Sequence, residues 1–243
     1  MAFIRVVNNW GDTLIDDNFM NVRLVSKGGL SMTRDVDEGD YQDIHYNATN
    51  PEFPPLLAIR CSSHRTTLIR TIRNGNNYTF RIGYMIGLDS SNPENVTGQF
   101  YIFDSAPKTD SRLGNLCLRN AAGQVVFDSG YDYMNVVDMV YLPEFNNGSQ
   151  PQTNISYPSD KTYAAVTISQ GYFWMFSSAY DDVGKYWETD ITYMFSGVVF
   201  SGNTAFFQGG VFTSQYFQSQ SSQGQGNSQS GRGIYMIIDV TGL

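Results

Sequence analysis

The stretch Leu113–Pro143 constrains the fold more than any other part of the chain, because it alternates short strand-like segments with tight turns. Its first segment, Asn115–Arg119, leads into a turn in which Gly123 suits the positive φ that hairpin turns require. A second apolar segment follows. A third, Tyr133–Leu142, is rich in Val, Met and Tyr and stops at Pro143, which cannot donate to a strand ladder. The pattern predicts antiparallel strands.

A second hairpin is predicted between Thr67–Ile72 and Tyr78–Ile86, because Asn74–Asn77 contains the Asn-Gly pair typical of two-residue turns. Apolar strand-like segments recur later in the chain, at Tyr163–Ser169 and Tyr172–Ser177. Long helical periodicity is hard to find. We therefore predict an all-β protein, with an antiparallel β-sandwich or a jelly-roll-like fold.

Composition divides the 243 residues into two β regions. Residues 1–142 form the N-terminal region, residues 143–160 an Asn-, Gly-, Ser- and Pro-rich connection, and residues 161–243 the C-terminal region. Within the last, residues 214–233 are a Gln-, Ser- and Gly-rich loop with too few apolar side chains for a core of its own. We expect this loop to be disordered alone and to display contact residues.

Charge and hydropathy exclude several classes of partner. The formal net charge of −8 argues against nucleic acid or an anionic membrane as the main partner, since both favour clustered Lys and Arg. No stretch approaches the roughly 20 apolar residues of a membrane helix, so no membrane insertion is expected. The N-terminal residues lack an apolar signal segment, and we expect synthesis in the cytoplasm. Cys61 and Cys117 either pair or remain free thiols.

The sequence contains no Walker loop, HExxH, GxSxG or CxxC motif, and we predict neither enzymatic activity nor a cofactor. Cys61 and His64 would face opposite sides if both lay on one strand, so a catalytic dyad would need a bend in the chain. The acidic run Asp35–Asp43 lacks the spacing of a calcium loop, so no metal site is predicted. One enzymatic alternative remains open, a glycosidase that uses the carboxylates of Asp181 and Glu188.

The second hairpin carries four of the chain's basic side chains: Arg65, Arg70, Arg73 and Arg81. Two interpretations stay open. The cluster is either a docking patch for an acidic neighbour or a surface phosphate, or simply the outward-facing side chains of two strands.

Three segments together resemble small proteins of the tail tip or tail fibre of tailed bacteriophages. They are the opening I-x-V-x-N-x-x-G at Ile4–Gly11, the pattern aGqvvFDS followed by Y-M-x-V-V-D in the central stretch, and the terminal strand at Ile237–Leu243. The resemblance implies a structural protein of the virion tail, partners among other tail proteins, and a homotrimeric assembly around the tail axis. It brings no catalytic residue with it.

On this basis we expect a tail component that helps to contact a glycan or protein receptor on the host surface. Two alternatives are a purely structural joint between fibre and tip and, less favoured, a glycan-degrading tail enzyme. Neutral polar and aromatic side chains in the C-terminal region are the predicted contacts. They are Tyr180, Trp187, Tyr216, Phe217, Gln218, Gln220, Gln223, Gln225, Asn227 and Arg232.

Overall fold

The computed structural model describes residues 5–7, 13–16, 21–33, 41–48, 53–85, 95–105, 114–120, 122–145 and 152–243. The strands are β1 (Arg5–Val7), β2 (Thr13–Asp16), β3 (Arg23–Thr33), β4 (Tyr41–Asn47), β5 (Leu56–Cys61), β6 (Thr66–Asn74), β7 (Asn77–Tyr84), β8 (Asn95–Asp104), β9 (Cys117–Arg119), β10 (Val125–Asp128), β11 (Asn135–Tyr141), β12 (Gln152–Ser156), β13 (Tyr163–Ser169), β14 (Tyr172–Asp181), β15 (Tyr186–Ser201), β16 (Thr204–Ser219), β17 (Gln225–Ser230) and β18 (Ile234–Asp239).

These strands form two large antiparallel sheets, which confirms the predicted all-β class. The six-stranded sheet has the order β11-β18-β13-β5-β8-β3. The eight-stranded sheet runs β12-β16-β15-β6-β7-β4; in addition, β14 pairs with β15, and β17 pairs with β14. Two short pairs, β1 with β2 and β9 with β10, lie outside the large sheets.

The two sheets pack face to face as a sandwich. One part of the interior joins Leu57 and Ile59 of the six-stranded sheet to Phe80 and Ile82 of the other. The adjoining part joins Tyr235 and its neighbours on β13 and β18 to the inward side chains of β15 and β16. Because alternate residues of a strand face opposite sides, the six-stranded sheet also buries a row of side chains on its outer face.

Both hairpins that were predicted from their turn residues are present in the structure. β6 and β7 are joined at Gly75, whose φ is 62°. In the central stretch Gly123 has a φ of 79°, and the side-chain oxygen of Asn120 accepts hydrogen bonds from the backbone N–H groups of Ala122 and Gln124, at 3.1 and 2.9 Å. These bonds satisfy amides that the turn leaves without strand partners.

The predicted division into two β regions does not follow the sheets. β11 precedes residue 143 but pairs with β18, and β5 pairs with β13. The connection predicted at residues 143–160 contains strand β12, which pairs with β16. Long-range pairing therefore ties the two regions together inside each sheet.

The Gln-, Ser- and Gly-rich segment is mostly strand, which corrects the prediction of a loop at residues 214–233. The end of β16 reaches Ser219, and β17 pairs along its whole length with β14. A chain with few apolar side chains can still be ordered where its backbone groups complete a ladder. The two cysteines are free, with Cys61 buried.

Candidate functional site: a four-stranded extension

The eight-stranded sheet continues beyond the sandwich core as a narrower sheet, which we call the extension. It consists of β14, the first half of β15 (186–195), the second half of β16 (211–219) and β17, in the order β17-β14-β15-β16. A cluster of Phe145, Phe173 and Met194 closes the core at its base. From Met194 to Trp187 the strand spans roughly 24 Å, at about 3.4 Å per residue.

Strand register divides the extension into two faces of different chemistry. Residues directly opposite each other in an antiparallel pair point to the same side of the sheet. Trp174 lies opposite Tyr193, and Tyr180 opposite Trp187, while Thr189 lies opposite Phe217. These residues belong to one side, which we call the aromatic face.

The side chains of the aromatic face pack on one another. The rings of Trp174 and Phe176 stack with centroids 5.4 Å apart, and those of Tyr180 and Trp187 lie 5.3 Å apart. Beneath them Thr189 is fully buried and shares a hydrogen bond of 2.7 Å with the hydroxyl of Ser178. The outer rings nevertheless remain open to solvent. Tyr180 is 46 % exposed and Phe217 39 %.

The opposite side, the polar face, carries the carboxylates of the extension. The hydroxyl of Tyr216 donates to Glu188 Oε1 at 2.6 Å and accepts from the Gln218 side-chain amide at 3.2 Å. The hydrogen bond to Glu188 raises the pKa of Tyr216 above its usual value. Gln225 and Asn227 belong to this face too, because they lie opposite Ser177 and Met175.

The predicted contact residues are thus brought into one extension but not onto one surface. Tyr180, Trp187 and Phe217 lie on the aromatic face, whereas Tyr216, Gln218, Gln225 and Asn227 lie on the polar face. Gln220 and Gln223 lie in the exposed connection between β16 and β17. Arg232 follows β17 and faces Glu144 at 3.7 Å, away from the others.

The extension ends in a tight turn between β14 and β15. Lys185 has a φ of 60°, and its N–H donates to the Asp181 carbonyl at 2.8 Å. The Asp181 carboxylate accepts from the Val183 N–H at 2.9 Å. At this tip the Val183 side chain is 94 % exposed, so an apolar group stands at the outermost point of the sheet.

The carboxylates of the glycosidase alternative lie on the polar face, since Asp181 is opposite Tyr186 and Glu188 opposite Ala179. Backbone N–H groups of Val183 and Gly184 hold the pKa of Asp181 below its usual value. A glycosidase acid needs the reverse shift, because it must carry a proton near neutral pH. Asp181 therefore does not suit the role of the acid.

The basic hairpin does not form one patch. Arg81 makes a two-point ion pair with Asp43, at 2.8 and 2.7 Å, and stacks on Tyr41 at 3.7 Å. Arg73 lies over the Tyr78 ring at 5.5 Å, and Arg70 is exposed. Arg65 lines a cleft on the outer face of the eight-stranded sheet.

The structure also shows the surroundings of Cys61 and His64. The Cys61 thiol contacts the Thr97 carbonyl at 3.3 Å, and the His64 ring packs edge-on against Tyr84. Among the residues that the structure describes, no group of three or more His, Cys, Asp or Glu side chains could hold a metal. Residues 35–40 of the acidic run lie outside that part of the chain. The described residues include no helix with the length and hydropathy to cross a membrane.

Comparison with protein families, with characterised proteins and with solved structures found no match. The resemblance to phage tail proteins therefore rests on the sequence motifs alone. The extension itself could be anticipated only in part. The sequence predicted an apolar strand at Tyr172–Ser177, but not that one of its faces belongs to a sheet that no other described strand covers.

Proposed function

We propose that this protein is a non-enzymatic structural component of a bacteriophage tail, at the tail tip or tail fibre, and that its extension contacts the host surface. The observation that carries the proposal is the aromatic face. It holds Trp174, Phe176, Tyr180, Trp187 and Phe217 on a sheet over which none of the described residues forms a second layer. Large exposed aromatic surfaces mark interaction sites.

The chemistry of this face suits a neutral, ring-shaped partner. Side chains of the aromatic face in β14 and β15 include no charged group, and hydroxyls of Ser178 and Thr189 lie among the rings. Aromatic rings stack on the apolar faces of sugars, and Tyr and Trp add hydrogen bonds at their edges. A bacterial surface glycan fits this combination. The resemblance implies a homotrimer that is attached to other tail proteins. Three linked copies would raise the overall avidity of individually weak contacts.

The test is binding of fluorescently labelled recombinant protein to a panel of bacterial cells. Deleting residues of β17 would remove a strand that pairs with β14, so point substitutions are the sharper probe. The double variant Tyr180→Ala and Trp187→Ala removes the outer aromatic pair. Tyr141→Ala is the matched control, because Tyr141 is 62 % exposed on β11 of the other sheet.

The proposal expects wild type and the Tyr141→Ala control to bind at least one bacterial strain and the double variant to lose that binding. Light scattering and circular dichroism confirm assembly and folding of each sample. A folded wild-type protein that binds no cell contradicts the adhesive role. It would leave the structural joint, which is then checked by association with co-expressed tail proteins.

A further inference from the structure

A second surface feature lies on the sandwich part of the eight-stranded sheet. It is an open cleft of about 440 Å³ on the outer face of the eight-stranded sheet, beside strand β12. This volume falls within the roughly 300–1,000 Å³ of small-molecule sites. The cleft contains none of the ten neutral, aromatic or Arg232 contacts predicted for the C-terminal region, although Arg65 belongs to the basic cluster considered as a docking patch. An inference about the cleft does not depend on the aromatic face.

The floor of the cleft is apolar. Phe206 on β16 lies opposite Asn154 of β12 on one side and opposite Val199 of β15 on the other. The next residue, Phe207, faces the interior and is buried. Phe206 therefore faces outward and keeps 38 % of its surface exposed. Its ring offers a flat apolar surface of the kind on which a sugar ring packs.

Primary amides surround this floor. Gln152 lies opposite Gln208, two residues along from the pair of Asn154 and Phe206, and all three amides line the cleft. Each amide group carries both a carbonyl acceptor and an NH₂ donor. A ligand with several hydroxyl groups, which also donate and accept, matches such a rim better than a ligand with acceptors alone.

The cleft also contains a cation. Arg65 precedes β6 next to the point where Thr66 pairs with Val198, and burial lowers the pKa of its guanidinium. Arg81 on the same hairpin is paired with Asp43. The part of the chain that the structure describes provides no hydrogen bond or ion pair to the Arg65 guanidinium. A partly desolvated cation is costly unless an anion compensates it.

We propose that this cleft binds a saccharide unit that carries a carboxylate, such as a uronic acid. The carboxylate pairs with Arg65, whose planar guanidinium matches two oxygens at once. The ring hydroxyls bond to the amides of Gln152, Asn154 and Gln208, and the sugar ring packs on Phe206. One cation with neutral amides suits a single negative charge, whereas a phosphate dianion favours additional basic groups.

The experiment is titration of the ¹⁵N-labelled full-length protein with D-galacturonate, followed by NMR. Parallel titrations use D-galactose, which has no carboxylate, and acetate, which has no ring. The variants are Arg65→Gln and Asn154→Ala, and Arg70→Gln is the matched control because it removes an exposed arginine of the same hairpin. Asn154 is exposed on an outer strand, so its variant tests the site even if Arg65→Gln fails to fold.

Galacturonate is expected to give saturable shifts confined to β12, the first half of β16 and residues near Arg65. Affinity should fall about tenfold or more in Arg65→Gln and measurably in Asn154→Ala, and should be unchanged in Arg70→Gln. Galactose and acetate should each bind at least about tenfold more weakly. Absence of saturable shifts overturns the site. Equal binding of acetate, or binding unaffected by both cleft variants, overturns the assignment to an acidic saccharide.

Discussion

The ring of Phe176 lies directly over Gly226 of the neighbouring strand. A Cβ atom added at Gly226 would come within 2.5 Å of the Phe176 ring, closer than van der Waals contact allows. The ring cannot move away freely, because its other side stacks on Trp174. Lack of a side chain at Gly226 is therefore what lets β17 lie beside β14.

Gly226→Ala is expected to loosen β17 while leaving the sandwich intact. The added methyl group must push the Phe176 ring out of its stack, at a cost of about 1 kcal/mol. Hydrogen exchange at the backbone amides of β17 should accelerate about fivefold. Gly29→Ala is the control, since a Cβ there has no atom within 4 Å. Unchanged exchange in β17 would show that the ring adapts without cost.

The two hairpins were predicted from the sequence, whereas strand β17 was not. Turns are decided by neighbouring residues, so Gly75 and Gly123 located two hairpins correctly. β17 could not be found this way, because its residues QGNSQS contain no apolar side chain. Its order comes from backbone pairing with β14 and from a close approach at Gly226. Neither is visible in local composition.

The candidate sites show the same limit. Tyr216 and Phe217 are adjacent in sequence and were both predicted to contact a receptor, yet a strand turns them to opposite faces. Once the segment is known to be a strand, that separation follows at once. The cleft at Phe206 depends instead on β12 pairing with β16 and on Arg65 arriving from a distant hairpin. From the sequence alone, Arg65 is predicted only as one member of a basic cluster.

The ion pair of Asp43 and Arg81 predicts an acid-dependent loss of stability. Hydrogen bonding to Arg81 lowers the pKa of Asp43 below its ordinary value of 3.8. Since the folded state depresses this pKa, the stabilisation is complete above the ordinary value and disappears as pH falls through the folded one. The pair is partly exposed, so Asp43→Asn should cost about 0.5–1 kcal/mol at neutral pH.

Urea denaturation of wild type and Asp43→Asn at neutral pH and near pH 2.5 measures this effect. The difference in the free energy of unfolding should shrink in acid. Asp182→Asn, in the exposed turn at the tip of the extension, is the control and should change little at either pH. A difference that stays constant with pH would mean that the carboxylate charge is not what stabilises the pair.

Arg60 is predicted to stabilise the junction between the sheets through its fork-shaped head group. Its guanidinium donates to the Tyr163 carbonyl at 2.7 Å and the Gly202 carbonyl at 2.9 Å, and lies over Phe200. Lysine keeps the charge but cannot reproduce this planar geometry. Arg60→Lys should therefore cost about 1–2 kcal/mol, measured by urea denaturation, while Arg70→Lys should be neutral. Equal stability of both variants would contradict the geometric role.

Two adjacent phenylalanines of β16 should respond very differently to truncation. Phe207 is buried and packs on Tyr235, with ring centroids 5.1 Å apart, in the interior between the sheets. Phe207→Ala removes a core ring and should cost about 3–5 kcal/mol. Phe206 faces solvent at the cleft, so Phe206→Ala should cost about 1 kcal/mol or less. Thermal and urea denaturation of both variants measure the contrast.

The Phe206 and Phe207 variants also distinguish effects on protein stability from effects on ligand binding. Because the Phe206 ring forms the floor of the cleft, Phe206→Ala should weaken the binding of D-galacturonate although the protein stays folded. The register of β12, β16 and β15 supports this prediction, since Asn154, Phe206 and Val199 share the outer face of the sheet. If Phe206→Ala proved as destabilising as Phe207→Ala, the assignment of the two residues to opposite faces of β16 would be wrong, and the apolar floor of the cleft with it.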